Sequence, residues 1–285
     1  MVDSVTEMGC KKCGAPMKIP FGTSVFTCEY CGNSMTVGGD GGNWKEIQKH
    51  TMLLNKLTPE QVSIEAKKWM DSGILRVGVS KSAVIGQMEL KYVPYWIIPA
   101  NGITNYTGKK GMGLSGIKSA MNQGSQGNIG GLAMGLLGGG FDRMMNNGNA
   151  RPVSSSINRS YNLPVIAARG LEQYEIKDYQ FSVMEKQLFD PGKIAGAKVL
   201  NGDVSEAEAK DKSKGMIAEV QEKEANNQLD FVQSMSTNVS VQDGELLHAA
   251  IWFIDYTIEG KTYIILIDGS NGKIIKGGKP FLSIN

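Results

Sequence analysis

Residues 89–98 read E-L-K-Y-V-P-Y-W-I-I, and residues 245–254 read E-L-L-H-A-A-I-W-F-I. Glu, Leu, Trp and Ile recur at the same offsets, as Glu89/Glu245, Leu90/Leu246, Trp96/Trp252 and Ile98/Ile254. Each copy is rich in β-branched and aromatic residues, and each runs on into a turn and a second strand-like segment. The pattern predicts two related antiparallel β-hairpin/helix units, with the intervening chain as insertion or linker.

Composition sets the frame for this reading. The chain has 285 residues, of which 41% are hydrophobic and 20% charged, enough for two or three small globular units. No apolar run approaches the roughly 18 residues of a transmembrane helix, and the N-terminal residues lack the apolar core of a signal peptide. The four cysteines fall at 10, 13, 28 and 31, with none beyond. Such spacing is that of a metal site and not of a secreted disulfide framework, and it fits a cytoplasmic protein. Formal net charge is +2. Four thiolates around one divalent ion would bring it near neutral, so any nucleic-acid contact must rest on local charge.

The metal motif is C-x2-C-x14-C-x2-C, and its two halves continue alike: Cys10-Lys-Lys-Cys13-Gly14-Ala-Pro-Met17 and Cys28-Glu-Tyr-Cys31-Gly32-Asn-Ser-Met35. A glycine after each second cysteine permits the open dihedrals of a metal knuckle, and each methionine can lid the site. Four thiolates in a tetrahedron favour a single structural Zn2+. Iron in the same ligand set and a redox-active cysteine pair are the alternatives. Over about residues 8–38 the motif resembles zinc ribbons of the transcription factor IIB type. That resemblance implies a rubredoxin-like knuckle pair on a three-stranded sheet. Phe21, Phe26 and Tyr30 are candidates for a stacking platform or for the ribbon's small core.

Residues 1–37 are therefore expected as the ribbon, and 38–43 (G-G-D-G-G-N) as a flexible linker that lets it move independently. Residues 44–110 read as a helical pair and the first β unit. Trp44 to Leu57 carries an apolar stripe, and a second helix opens at Thr58-Pro59 with Gln61 closing a capping box. Residues 74–79 and 83–98 follow as strands, with Pro94 and Pro99 marking an edge or bend. His50 reads as a surface or packing histidine, and His248 has no cysteine or acidic cluster in its neighbourhood of the sequence.

Residues 111–160 are a Gly-rich basic insertion. Gly127, Gly131, Gly135 and Gly139 recur every fourth residue, with Leu132, Leu136 and Leu137 between them. As a helix this stripe would let another backbone approach closely, but so many glycines disfavour a lone helix in water. From residue 104 to 169, seven cations face one anion, a local charge of +6. Among these cations, Lys109, Lys110, Arg143, Arg151 and Arg159 are candidate contacts to phosphates or an anionic surface.

Residues 161–285 read as an α+β unit. Strands are expected at 163–168 and 174–183. Ser205-Glu206-Ala207-Glu208 opens a long helix, and Leu246–Ile258, Lys261–Ile267 and Lys273–Lys276 form an antiparallel meander. Asp268-Gly-Ser-Asn-Gly272 reads as a turn, because the terminal acidic ligand of a calcium loop is missing. From Trp252 to Lys273, W-F-x-x-Y-x-x-x-G-K-x-Y-x-x-x-x-D-G-x-x-G-K resembles the tail of uncharacterised zinc-ribbon proteins labelled primosomal protein N′-like. Ser205, Glu206, Ala207, Asp268 and Gly272 also match PepSY-type modules, which implies a helix followed by a hairpin. The second copy departs from these relatives at His248-Ala249-Ala250, where Pro is usual before the Trp. The helicase in the label is not implied, since the chain has no phosphate-binding G-x-x-x-x-G-K-[ST] loop.

Together these features predict an α+β, non-enzymatic, cytoplasmic binding or assembly factor. Its expected partner is a large protein assembly or a second copy of itself, engaged through the Gly-rich insertion. A ribonucleoprotein, an anionic membrane surface, and a hydrolase built from Asp243, Asp255 and Asp268 stay open as alternatives.

Overall fold

The computed structural model describes residues 5–37, 44–72, 78–110, 151–174, 181–194 and 196–278. They form an α+β fold in two units. One comprises Met1–Ile98, Leu163–Asp211 and Asp243–Asn285; the other comprises Pro99–Asn162 and Lys212–Gln242.

In the first unit, β1 (Val5–Gly9) pairs antiparallel with β2 (Pro16–Pro20). A separate antiparallel sheet joins β3 (Val25–Thr27), β4 (Ser34–Val37) and β5 (Trp44–Glu46). β6 (His50–Leu53) then runs parallel to a later strand. The helix expected from Trp44 to Leu57 is thus replaced by two short strands. Its apolar positions are compatible with a helical stripe, but Met52 and Leu53 are neighbours in sequence and both fully buried, in different cores. Met52 packs with Tyr92 and Ala250, and Leu53 with Val93, Tyr95 and Leu247. Only the two-residue period of a strand sends adjacent side chains to opposite faces.

α1 (Pro59–Met70) follows its local code. Gln61 N donates to Thr58 Oγ1 and Thr58 N donates to Gln61 Oε1, closing the capping box. Val62, Ala66 and Met70 bury its inner side. Val79, expected at the end of a strand, instead opens the single turn α2 (Val79–Ser82), tied back when Asp71 accepts from Ser80 N and Oγ.

β7 (Val84–Lys110) is the longest strand. Pro94 and Pro99 lie inside it and not at an edge. Each lacks only a donor, and each keeps its acceptor engaged: Pro94 O takes Ala167 N, and Pro99 O takes Gln242 N. β8 (Arg151–Ile166) takes in the strand expected at 163–168 as far as Ile166; Arg169–Tyr174 and Val183–Glu185 are 3-10 turns, and most of the strand expected at 174–183 lies outside the described residues. Short strands β9 (Gln187–Leu188) and β10 (Lys198–Val199) precede α3 (Glu206–Gln228), which opens with the expected Ser205–Glu208 capping box. The chain closes through β11 (Phe231–Val241), β12 (Glu245–Ile258), β13 (Lys261–Asp268) and β14 (Ile274–Gly277).

β7 and β12 pair antiparallel at the centre of the first unit, so the two ten-residue copies lie against each other. Val93 opposes Ala249, its own counterpart in the other copy. Leu90 opposes Trp252, and Leu246 opposes Trp96. The ladder therefore has a local two-fold relation between the copies. Each indole N–H is satisfied, Trp96 by Val204 O and Trp252 by Asn55 Oδ1. β13 flanks β12 through the tight Glu259–Gly260 turn, where both residues have positive φ, 50° and 75°. At the next turn Asp268 accepts from Ser270 N, Ser270 Oγ and Asn271 Nδ2, as a turn aspartate does.

In the second unit β7 pairs with β8 and with β11. Residues 212–228 of α3 cover one face. Gln221 donates to Gly102 O and accepts from Thr104 Oγ1, while Tyr106, Ile157, Ala225 and Leu229 form the apolar core. The expected insertion boundary at 160 gives way here, because β8 begins at Arg151.

Candidate metal centre

The two C-x2-C turns fold alike. Cys10 N donates to Ala15 O and Gly14 N to Cys10 O; Cys28 N donates to Asn33 O and Gly32 N to Cys28 O, all at 2.8–2.9 Å. Gly14 and Gly32 take φ of 75° and 70°, which a side chain would strain. Met17 and Met35 are buried with Cys10, Cys28, Ile19 and Phe26. Phe26 thus belongs to the ribbon core, while Phe21 and Tyr30 stay exposed.

These turns bring the four sulfur atoms within 4.8 Å of one another. Cys10 and Cys31 Sγ are 3.7 Å apart, and Cys13 and Cys28 Sγ 3.8 Å. A tetrahedron with metal–sulfur bonds of about 2.3 Å has edges of about 3.8 Å, so the cluster fits one such ion. Burial opposes ionisation, but N–H groups of Cys13 and Lys12 outweigh it at Cys10 and bring that thiol down to about 7. Burial pushes the Cys28 thiol up, and the Cys31 thiol up to about 12. A bound cation would supply the charge that lets all four ionise together.

The metal turns are not an isolated module within their unit. Gly202 accepts from Ser24 N and Val25 N and donates back to Val25 O, and Asn201 Oδ1 accepts from Thr27 N. The independent ribbon expected from the sequence is therefore corrected by residues 201–203, which extend its second sheet. Gly202 suits this approach, since a Cβ there would lie 2.6 Å from Ala167 O.

A second connection runs through the two histidines. Thr27 Oγ1 meets Ser34 Oγ at 2.7 Å, Ser34 Oγ meets His50 Nδ1 at 3.0 Å, and His50 Nε2 meets His248 Nδ1 at 2.8 Å. His248 Nε2 ends the chain on Leu200 O at 3.3 Å. That carbonyl can only accept, so His248 carries its proton on Nε2 and accepts at Nδ1. His50 must then donate from Nε2 and accept at Nδ1 from Ser34, which in turn accepts from Thr27. One terminal carbonyl thus orients four side chains. Phe189 stacks on His50 with ring centroids 4.1 Å apart. Burial, reinforced by the neighbouring His248, depresses the pKa of His50 to about 2, and burial depresses that of His248 to about 4. Both rings are neutral hydrogen-bonding parts. Sequence reading missed the pair because 198 positions separate its members; the only available signal was that the chain has two histidines in all.

The remaining candidates are dispersed. Lys109 and Lys110 end β7, and Arg151 begins β8. Arg159 is held by Glu224 through two 3.0 Å hydrogen bonds, so it is not a bare phosphate contact. Arg143, Gly127, Gly131, Leu132, Gly135, Leu136, Leu137 and Gly139 lie outside the described residues, as does the expected linker 38–43. The three aspartates do not converge. Asp243 pairs with Lys210, Asp268 is buried in its turn opposite Ile251, and Asp255 stands opposite Ile264, four residues along β12 from Ile251.

The fold and the sulfur cluster define an α+β protein with an N-terminal four-cysteine module capable of coordinating a metal ion. No protein-family model, curated protein or solved structure matches the chain. Among the described residues, no helix is long and apolar enough to cross a membrane.

Proposed function

We propose that the chain is a non-enzymatic cytoplasmic binding or assembly factor. In this reading the four-cysteine site holds one structural Zn2+ in a ribbon, and the two related β units form a scaffold. The Gly-rich segment between Lys110 and Arg151 engages a large protein assembly. The observation that carries the proposal is the hydrogen-bonded chain from Thr27 and Ser34, beside the metal turns, through His50 to His248 in the central strand. It commits both histidines to neutral structural roles, as four thiolates in one site would commit all the cysteines. In this reading the histidines and cysteines serve the scaffold. Gentle purification of the native protein, with metal analysis and mass measurement of what accompanies it, tests the reading. The expected result is one zinc per chain and a partner of fixed stoichiometry that is lost when residues 111–148 are deleted. An unchanged partner and assembly state after that deletion would overturn it.

A second reading rests on the +6 charge between residues 104 and 169. Phosphates of a ribonucleoprotein or an anionic membrane surface would then meet Lys109, Lys110, Arg143 and Arg151. Such binding weakens steeply with salt, whereas packing on the glycine stripe of Gly131 and Gly135 does not.

A further inference from the structure

In the second unit, β7 pairs on one side with β11, from Lys109 opposite Phe231 to Ala100 opposite Val241. β8 is the other neighbour of β7 in this sheet, and β11 pairs with no other described strand. Its outer row of backbone N–H and C=O groups therefore forms a sheet edge among the described residues. Edges of this length are ordinarily blunted by charge or proline, because they invite pairing with another chain. β8, the other outer strand here, follows that rule with Arg151, Pro152 and Arg159. β11 reads F-V-Q-S-M-S-T-N-V-S-V over eleven residues and contains neither. Its one register irregularity lies between Val232 and Ser234, leaving Ser234–Val241 regular.

We propose that this edge pairs antiparallel with β11 of a second copy of the chain. The charge pattern suits that occupant. A strand with no charged residue can face its own copy without like-charge repulsion. Alternation permits the pairing as well. Ser234, Ser236, Asn238 and Ser240 are exposed, while Met235, Thr237, Val239 and Val241 alternate with them and are half-buried. A two-fold pairing centred on Ser236 sets Ser234 against the second copy's Asn238, and Met235 against its Thr237. Hydroxyl and carboxamide groups meet on one face and the larger groups on the other, so each face continues across the junction. The proposal stands apart from the Gly-rich segment.

The test is the solution mass of the full chain over a dilution series, for the wild type and two double variants. These are Ser236→Lys/Asn238→Lys and Ser236→Glu/Asn238→Glu, all at exposed positions. The wild type should reach twice the chain mass, each variant alone should stay at the chain mass, and an equimolar mixture of the two should return to twice that mass. The mixture also controls for folding, since misfolded chains would not pair on mixing. A monomeric wild type at every concentration would overturn the proposal. Dimers that survive in both variants would do the same, as would folded variants that fail to pair when mixed.

Discussion

His50 Nε2 and His248 Nδ1 meet at 2.8 Å and couple β6 to the first residues of β12 inside a buried site. Replacing His50 with Ala strands the Nδ1 acceptor of His248 and the hydroxyl of Ser34. The expected destabilisation is about 2–4 kcal/mol, from lost packing on Phe189 together with unpaired buried polar groups. His248→Ala should act similarly. The double variant should cost less than the two single losses combined, with a coupling of about 1–2 kcal/mol. Urea unfolding of the four proteins measures it, and strict additivity would show that the contact contributes nothing.

The same pair sets a pH dependence. Both histidines have folded pKa values below the ordinary 6.5, near 2 for His50 and near 4 for His248. The unfolded chain therefore takes up protons first as pH falls. Stability from these rings is full above pH 6.5 and declines as pH drops towards the folded values. His248 alone accounts for roughly 3 kcal/mol over that range. Thermal unfolding at pH 7.5 and pH 4.5 should show a large drop that shrinks in a His50→Phe/His248→Phe variant. An equal drop in that variant would assign the effect to other groups.

Cys28→Ser should reduce bound zinc from one per chain to nearly none, by elemental analysis of protein purified without chelators. Because Ser24, Val25 and Thr27 hydrogen-bond to residues 201 and 202, the loss should spread beyond the metal turns. Hydrogen exchange should quicken over β3, β4, β6 and residues 198–204, while the β12–β13 ladder from Ile251 to Ile258 keeps its protection. Exchange confined to residues 5–37 would mean that the sheet does not depend on the metal site.

Two glycines of the second unit should respond unequally to alanine. A Cβ at Gly108 would lie 2.1 Å from Phe231 O, a backbone atom of the paired strand. One at Gly102 would lie 2.8 Å from Ile217 Cγ2 and from Gln221 Nε2, which are side-chain atoms. Gly108→Ala should cost about 3 kcal/mol or more and Gly102→Ala about 1–2 kcal/mol, since side chains yield more readily than a ladder. Denaturation midpoints give the ranking, and the reverse order would contradict the stated contacts.

Features written in short windows were legible without coordinates. The repeated C-x2-C-G turns, the Thr58–Gln61 and Ser205–Glu208 capping boxes, and the Glu259–Gly260 turn each depend on residues within a few positions of one another. Local backbone sterics and hydrogen bonding decide them. The hairpin from Leu246 to Ile267 was equally plain, because period-2 burial and a tight turn lie side by side. Residues 44–57 were not legible: their apolar spacing suits a helix, and only the edges offered by β4 and β12 turn Trp44–Glu46 and His50–Leu53 into strands. Pro94 and Pro99 likewise look like edge markers until Ala167 and Gln242 are seen to satisfy their carbonyls.

By itself, then, the sequence determined the four-cysteine motif, the helix starts at Thr58 and Ser205, the turns and the recurrence of Glu, Leu, Trp and Ile at matching offsets in 89–98 and 245–254. Tertiary structure alone decided that those two stretches pair with each other about Val93 and Ala249, that Gly202 joins the metal turns to their unit, and that His50 finds His248. The physical reason is range. Propensity and spacing act over one or two turns of chain, whereas strand partners and buried hydrogen-bond networks are selected by which distant groups can satisfy one another once water is excluded.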